Sequence, residues 1–292
     1  MRYLSCRERP HQASCSAPGK RSRAASAGSL GAEAACPESL LQQHVRNLGG
    51  AAGQPVRHFT YQAQRYVVKY KQTAAPRYLR SWMASAACAF MFNEWVRPVR
   101  LRAGGLGHEA ARLHALRKQG LRVPRLVLQT PDFLVMEYCG EDLAQRIKRS
   151  QGAERAALLG RVVDELAEFH RAGHWHGGAQ LRNLTWHQGQ IYRIDFEETA
   201  GLSISLELAQ AYDILLAFHS LIDYLDGDIA LGVALLDRYF QRAPSAKADS
   251  ALRRLERKVG WWTKLEPLLG GSIRKHKDIR RAFILTRVLQ RR

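Results

Sequence analysis

The sequence predicts an α+β protein with two lobes, a small sheet-rich lobe followed by a helical lobe. Short apolar runs that favour strands occur between residues 56 and 138, bounded by turn-forming residues. After Gly140 apolar residues recur at helical spacing, most clearly between residues 154 and 172. Strands therefore come first and helices later, and 292 residues are enough for two small lobes.

The first segment, residues 1–38, differs in composition from the rest of the chain. It is rich in Ser, Ala, Gly and Arg and shows no periodic apolar face. A segment that cannot bury apolar surface does not offset the entropy lost on ordering. We therefore predict a disordered, basic amino-terminal segment, followed by the sheet-rich lobe over residues 39–136.

Two strands with a tight connection begin the sheet-rich lobe. Residues 56–61 indicate the first strand and residues 66–70 the second, with residues 62–65 as the connection. The preceding run 49–53 is rich in glycine but does not match the phosphate-binding pattern G-x-G-x-x-G. We expect a flexible turn there.

Two helical segments follow in the same lobe. Residues 77–98 carry many aromatic residues and read as an inserted helix, more typical of packing than of membrane contact. After the Gly104-Gly105 break, Leu106, Leu113 and Leu116 share one helix face, and Glu109 lies on that same face. A carboxylate on an apolar face is costly unless it is paired, so we predict a buried cationic partner for it.

Two more short strands end the sheet-rich lobe. Residues 125–128 and 133–138 are apolar, and the turn-forming residues 129–132 separate them. The helical lobe is then expected over residues 137–292, with a first long helix over residues 154–172.

The charge is strongly positive, with a formal net value of +19. Residues 241–292 contribute most, with fifteen Lys and Arg against four acids. Such a surface attracts nucleic acid, anionic lipid or a phosphorylated glycolipid, although a merely solvated basic surface is the alternative.

Cysteine use and hydropathy indicate a cytoplasmic protein. The five cysteines are an odd number without a C-x-x-C pair, so the sequence suggests neither a disulfide framework nor a zinc site. The longest uncharged apolar run, residues 81–93, is shorter than the roughly 20 residues of a membrane span. The amino terminus lacks the apolar core of a secretory signal, so we expect no export.

A set of polar residues occurs at the ends of these predicted elements. Lys69 ends an apolar strand, and Glu109 lies on the inward face of a helix. Asn183 follows a helix, and Asp195 comes twelve residues later at the end of a strand. A strand lysine held by a helix glutamate, with an Asn and an Asp for metal ions, is the set that phosphoryl transfer on a kinase scaffold requires.

At these positions the chain resembles the small atypical kinases, which include the lipopolysaccharide core sugar (Kdo/heptose) kinases and the RIO-type serine/threonine kinases. The resemblance covers about residues 45–240 and is carried by Val67-Val68-Lys69, Gly107-His108-Glu109, Val135-Met136-Glu137-Tyr138, His176-Gly177-Gly178-Ala179-Gln180-Leu181-Arg182-Asn183 and Ile194-Asp195-Phe196-Glu197. It implies a bilobal protein-kinase-like fold that uses ATP and Mg²⁺.

The resemblance also implies roles for individual residues. Lys69 would contact the nucleotide phosphates, Glu109 would pair with it, and Glu137 would lie in the hinge beside the nucleotide. Asn183 and Asp195 would ligate Mg²⁺, because amide and carboxylate oxygens suit a hard cation.

Gly178 departs from the pattern of the family. Its expected His-Gly-Asp places the catalytic aspartate five residues before Asn183, where this chain has Gly178. We therefore predict a catalytic set of His176, Gln180, Asn183 and Asp195, without the usual base. His174, Glu197 and Glu198 are further groups able to accept a proton.

Asp213 lies only eighteen residues after Asp195, on a predicted helix face that points to the core. In the family an aspartate there binds the backbone of the catalytic loop. So short a segment leaves no room for a long activation loop, which favours a sugar, lipid or other small acceptor over a peptide.

Three functions follow from these observations. The first is an ATP- and Mg²⁺-dependent kinase for an anionic glycolipid, such as the lipopolysaccharide core, or another small or protein hydroxyl. The basic carboxyl-terminal region would then steer the acceptor or hold the protein at the inner face of the cell membrane. The second is a pseudokinase that binds nucleotide without transfer. The third, nucleic-acid association, is disfavoured because no nucleic-acid-binding motif is present.

Overall fold

The computed structural model describes residues 37–49, 54–71, 89, 105–265 and 277–292. The predicted disordered segment 1–38, except for its last two residues, lies outside the described residues. The same holds for residues 50–53 and, apart from residue 89, for the predicted helical insertion 77–98.

The small lobe contains a four-stranded antiparallel sheet in the order β1-β2-β4-β3. Its strands are β1 (Val56–Tyr61), β2 (Gln64–Tyr70), β3 (Leu126–Gln129) and β4 (Phe133–Glu137). Gln62 and Ala63 form the β1–β2 turn with φ angles of 48° and 63°, the left-handed conformation that suits a two-residue hairpin. The connection predicted over residues 62–65 is therefore shorter, and residues 64 and 65 belong to β2.

A helix that the sequence analysis missed covers one face of this sheet. Helix α1 (Pro37–Leu48) begins with proline, which is favourable in the first turn because its missing N–H has no helical partner there. Leu41 and Val45 are buried with Val68 and other sheet residues. The helix also includes the last two residues of the segment predicted to be disordered.

Helix α2 (Gly105–Lys118) connects the sheet to the helical lobe through one apolar cluster. Leu113 and Leu116 from α2 and Met136 from β4 pack in it with Phe169 and Phe196 from the large lobe. The two lobes therefore share part of their core next to the cleft that separates them.

The chain crosses between the lobes after β4, and Gly140 is required at the crossing. Its φ angle is 93°, and a Cβ there would lie 2.0 Å from the carbonyl oxygen of Trp186. The three strands of a second antiparallel sheet follow, namely β5 (Glu141–Asp142), β6 (Leu184–His187) and β7 (Gln190–Arg193).

Helices form the rest of the large lobe. They are α3 (Leu143–Arg149), α4 (Gly152–Arg171), α5 (Leu206–Leu221), α6 (Ile229–Arg242), α7 (Ala246–Val259), α8 (Trp262–Leu265) and α9 (Lys277–Arg291). Helix α4 coincides with the stripe predicted over residues 154–172 and buries it in the main core. Within the described part of the chain, no helix has the length and apolar character needed to cross a membrane. The α+β, two-lobed prediction is confirmed.

Candidate active site

Three of the side chains predicted to bind nucleotide and metal, those of Lys69, Glu109 and Asp195, meet between the lobes. This residue lies in β2 opposite Leu134 of β4 and is 8% exposed. Its Nζ is 2.7 Å from Oε2 of Glu109 on α2 and 2.5 Å from Oδ1 of Asp195, which follows β7. It is also 3.5 Å from Oε2 of Glu197. Three carboxylates from two lobes therefore surround one lysine.

The charges in this cluster are not balanced. Burial alone would lower the pKa of Lys69, but Glu109 and Asp195 raise it above its ordinary value, so the lysine is fully protonated. Burial raises the pKa of Glu109, which is 1% exposed, even though Lys69 opposes that shift. One lysine charge thus faces three carboxylates, and the excess favours binding of a further cation.

The donor set of the cluster fits a magnesium ion. One ligand oxygen each from Glu109, Asp195 and Glu197 lie within 4.8 Å of one another. Among the residues that the structure describes, Oε1 of Glu109 is buried without a hydrogen-bond partner, so these groups alone do not satisfy the cluster. Carboxylate oxygens are the ligands that hard cations prefer.

Asp195 occupies a special backbone conformation immediately after β7. Its φ angle is 68°, a left-handed value that a non-glycine residue seldom adopts. The preceding Ile194 donates its N–H to the carbonyl of Asn183 at 3.0 Å, which holds the segment against the loop that ends at Asn183. Strained conformations of this kind concentrate at functional sites.

Asn183 ends a short 3₁₀ turn (Leu181–Asn183) beside the cluster and is 8% exposed. Its side-chain Nδ2 donates to the carbonyl of Gly178 at 2.8 Å. The amide oxygen is therefore the atom left for a metal ion. Its predicted role as a metal ligand agrees with this orientation and stays a prediction.

His176 has a structural position that does not support its predicted catalytic role. It is completely buried, and its Nδ1 accepts the N–H of Gly178 at 3.0 Å. Its Nε2 lies 3.0 Å from the carbonyl of Ile194, to which it donates. Burial lowers the pKa of His176 to about 4, so the ring is neutral and both nitrogens are already bonded.

Asp213 on α5 binds the backbone of the loop that contains His176 and Gly177. It is completely buried, and its two carboxylate oxygens accept the backbone N–H groups of His176 at 2.5 Å and Gly177 at 2.7 Å. His170 lies 3.3 Å away through Nε2. Burial opposes ionisation of Asp213, but these partners keep its pKa below the ordinary value. This is the position that the resemblance implies.

Arg112 on α2 is a site residue that the sequence analysis did not identify. Its guanidinium donates to the carbonyls of Trp175 at 2.6 Å and of His176 and Glu198 at 3.2 Å. It also lies 4.2 Å from the ring centroid of Trp175. Since Arg112 follows Glu109 by three residues, helical spacing alone places both on one face of α2.

The two other predicted site residues show less specific positions. Gln180 is half-buried, and its backbone N–H donates to the carbonyl of Gly178 at 2.7 Å. The Glu137 side chain lies 3.5 Å from Arg125 and is partly exposed, and its backbone N–H donates to the carbonyl of Arg125 at 3.0 Å. Both roles stay predictions.

The buried histidines predict how stability depends on pH. Burial lowers the pKa of both His176 and His170, whereas an unfolded histidine titrates near 6.5. The unfolded state therefore binds more protons, and the free energy of unfolding should fall as the pH drops from about 6.5 towards 4. For His176 the loss is on the order of 3 kcal/mol.

Urea unfolding between pH 7.5 and pH 5 measures this effect. Replacing the exposed His114 by glutamine should leave the slope unchanged. A free energy of unfolding that is level across this range contradicts the neutral, buried state of the two histidines.

The fold is protein-kinase-like, and Lys69, Glu109 and Asp195 lie together in its cleft. Residues 90–204 match the RIO domain, a part of the atypical protein-kinase-like superfamily. The match covers less than half of the chain and includes α2, the hinge, the catalytic loop and Asp195, but not Lys69. The predicted resemblance to RIO-type kinases is thus confirmed, whereas that to the lipopolysaccharide core kinases stays a prediction.

A curated relative gives a second similarity. The chain is 28% identical over 148 residues to the probable bifunctional tRNA threonylcarbamoyladenosine biosynthesis protein of Methanocorpusculum labreanum. The aligned segment is 50% of this chain but only 26% of the relative. Half of this chain therefore aligns with about a quarter of that longer protein.

Proposed function

We propose that the protein is an ATP- and Mg²⁺-dependent phosphotransferase of the RIO-type, kinase-like class. The observation that carries the proposal is the position of Lys69 Nζ, 2.7 Å from Glu109 and 2.5 Å from Asp195. These three residues come from a strand, a helix and a loop in two lobes. A kinase site requires this lysine–glutamate pair and this metal-binding aspartate together.

The residues divide into two groups by the part of Mg·ATP that they would hold. Lys69, positioned by Glu109, is a protonated donor for the phosphates. Asp195 and the amide oxygen of Asn183 would hold Mg²⁺, with Glu197 as a further ligand from the same cluster. A magnesium ion held by these residues would neutralise negative charge on the phosphates.

Gly178 supports a second candidate function, a pseudokinase that binds nucleotide without transferring phosphate. No side chain at this position can take the proton of an acceptor. Base assistance contributes on the order of 10²–10⁴ in rate, whereas positioning and charge neutralisation supply most of phosphoryl-transfer catalysis. A slow enzyme therefore remains consistent with glycine at this position, and we favour the enzyme.

The acceptor that we propose is the hydroxyl of an anionic glycolipid or of another small molecule. The short segment between Asp195 and Asp213 and the net charge of +19 support it. Peripheral association with an anionic membrane through residues 241–292 belongs to the same proposal. Phosphate transfer from labelled ATP to core oligosaccharide tests this acceptor. The relative's name suggests tRNA as a second test substrate, and labelling of tRNA instead of the oligosaccharide would contradict the proposed acceptor.

Nucleotide binding and turnover test the proposed site. Lys69→Met should weaken Mg·ATP binding by about tenfold or more, because a charge-assisted contact to phosphate is lost. Lys71→Met is the matched control, since Lys71 is an exposed lysine two residues further along. Calorimetric titration with Mg·ATP measures both. Equal affinities in the two variants contradict the site.

Gly178→Asp separates the enzyme from the pseudokinase. A Cβ at this position would lie 3.0 Å from Nδ2 of Asn183, so the substitution requires a shift of a few tenths of an ångström. Gly178→Ala controls for that shift. Turnover by the natural chain, raised in Gly178→Asp, supports the slow enzyme, whereas binding with turnover only in Gly178→Asp supports the pseudokinase.

A further inference from the structure

A cavity of about 160 Å³ lies behind β7, away from the Lys69 cluster. It opens between the loop that joins α2 to β3, helix α4 and strand β7. Its walls are formed by Gly120, Leu121, Arg122, Val123, Glu165, Glu168, Phe169, Ile191 and Arg193. None of the residues assigned above to nucleotide or metal binding is among them. The cavity is thus separate from the Lys69 cluster and is lined by residues of both lobes.

Arg193 is the unusual group in this wall. It is 5% exposed, and its Nη2 is buried without a hydrogen-bond partner in the described part of the chain. Its guanidinium packs 4.8 Å from the ring centroid of Phe169. The guanidinium of an arginine side chain stays protonated in proteins. A buried charged donor without a partner is costly, and such groups call for a ligand.

Glu165 and Asp213 favour the charged form of Arg193, but among the described residues neither of them is hydrogen-bonded to its Nη2. Both carboxylate oxygens of Glu165 accept from Nη2 of Arg122, at 2.5 Å and 2.6 Å. Glu168 lies 4.0 Å from the same Nη2 of Arg122. The acidic residues of the cavity are therefore directed to Arg122. Arg193 is left as the donor available to a guest.

We propose that this cavity binds a small oxyanion, of the phosphate or carboxylate class, through the guanidinium of Arg193. The planar guanidinium matches the spacing of two oxygens on such an anion. Drug-sized ligands occupy pockets of about 300–1,000 Å³, so this smaller cavity fits a small ion rather than a nucleotide. The proposal is independent of the proposed function.

Binding of inorganic phosphate and of acetate to the full-length chain, followed by calorimetry, tests the proposal. Arg193→Leu should weaken binding by about tenfold or more, because the charge-assisted bonds are lost. Arg171→Leu removes an exposed arginine from the same lobe and should leave the affinity unchanged. Inorganic phosphate can also bind at Lys69, so the Arg193→Leu comparison is repeated in the Lys69→Met background, where the same loss of affinity is expected.

Comparison of the two anions shows whether the cavity prefers a phosphate or a carboxylate group. Tighter binding of phosphate than of acetate indicates a phosphate group, and the reverse indicates a carboxylate. Arg193→Lys is a second variant, which keeps the positive charge but loses the paired N–H groups of the guanidinium. It should bind the anion more weakly than the natural chain, and it keeps the test valid if Arg193→Leu does not fold. Absence of binding to the natural chain at millimolar anion, or equal affinity in Arg193→Lys, overturns the proposal.

Discussion

Replacement of Asp195 by asparagine is expected to remove most of the Mg²⁺-dependent affinity for ATP while leaving the protein folded. Asp195 is the carboxylate closest to Lys69, and it belongs to the acidic cluster that fits a metal ion. Asparagine preserves the shape but removes the negative charge. Since a metal contact contributes several kcal/mol, the loss should be on the order of a hundredfold in affinity.

Titration with ATP in the presence and absence of Mg²⁺ measures this loss. Glu154→Gln removes an exposed carboxylate from the start of α4 and serves as the control. The natural chain and the control should gain affinity when Mg²⁺ is added, and Asp195→Asn should not. A Mg²⁺ dependence that is the same in all three proteins would remove Asp195 from the metal site.

Replacement of Asp213 by alanine is expected to produce the largest loss of stability of any substitution near the site. The carboxylate is completely buried and accepts two backbone N–H groups, from His176 and Gly177. Alanine leaves both donors buried without a partner. Breaking such a buried charged network costs about 3–5 kcal/mol.

Urea unfolding followed by circular dichroism measures this cost. Asp213→Asn keeps the volume and one acceptor oxygen, so it should be less harmful than Asp213→Ala. Asp132→Asn changes an exposed aspartate in the β3–β4 turn and should leave the free energy of unfolding within about 0.5 kcal/mol of the natural value. A loss below about 1 kcal/mol in Asp213→Ala would mean that the loop does not depend on this carboxylate.

Much of the site was predictable because its residues lie at the ends of strongly patterned elements. The apolar strand fixes the face of Lys69, and the leucine spacing of α2 turns Glu109 inward. Asp213 follows from the same reasoning, because its helix is apolar on the buried face. In each case periodicity determines which side of the element the polar group occupies.

The features that were missed depend on tertiary contacts. Helix α1 has a short apolar face that is recognisable only once the sheet is present to cover it. The catalytic role of His176 stays a prediction, and sequence spacing did not reveal that backbone groups contact both of its ring nitrogens. The alternating pattern of β7 places Arg193 on the buried face of the strand. That its Nη2 has no hydrogen-bond partner among the described residues depends on the pairing of Glu165 with Arg122, which the sequence does not show.

The contacts of Arg112 have a consequence for motion between the lobes. They bond α2 to the carbonyls of Trp175 and Glu198 in the large lobe, whereas Leu113 and Leu116 of the same helix pack with Met136 of the sheet. If the cleft opens to admit a nucleotide, we expect the sheet to move away from the large lobe, whereas the hydrogen bonds of Arg112 keep α2 next to that lobe. Lys69 lies in the sheet and Glu109 in α2. Opening of the cleft would therefore separate the lysine from its glutamate, and closing would restore the ion pair.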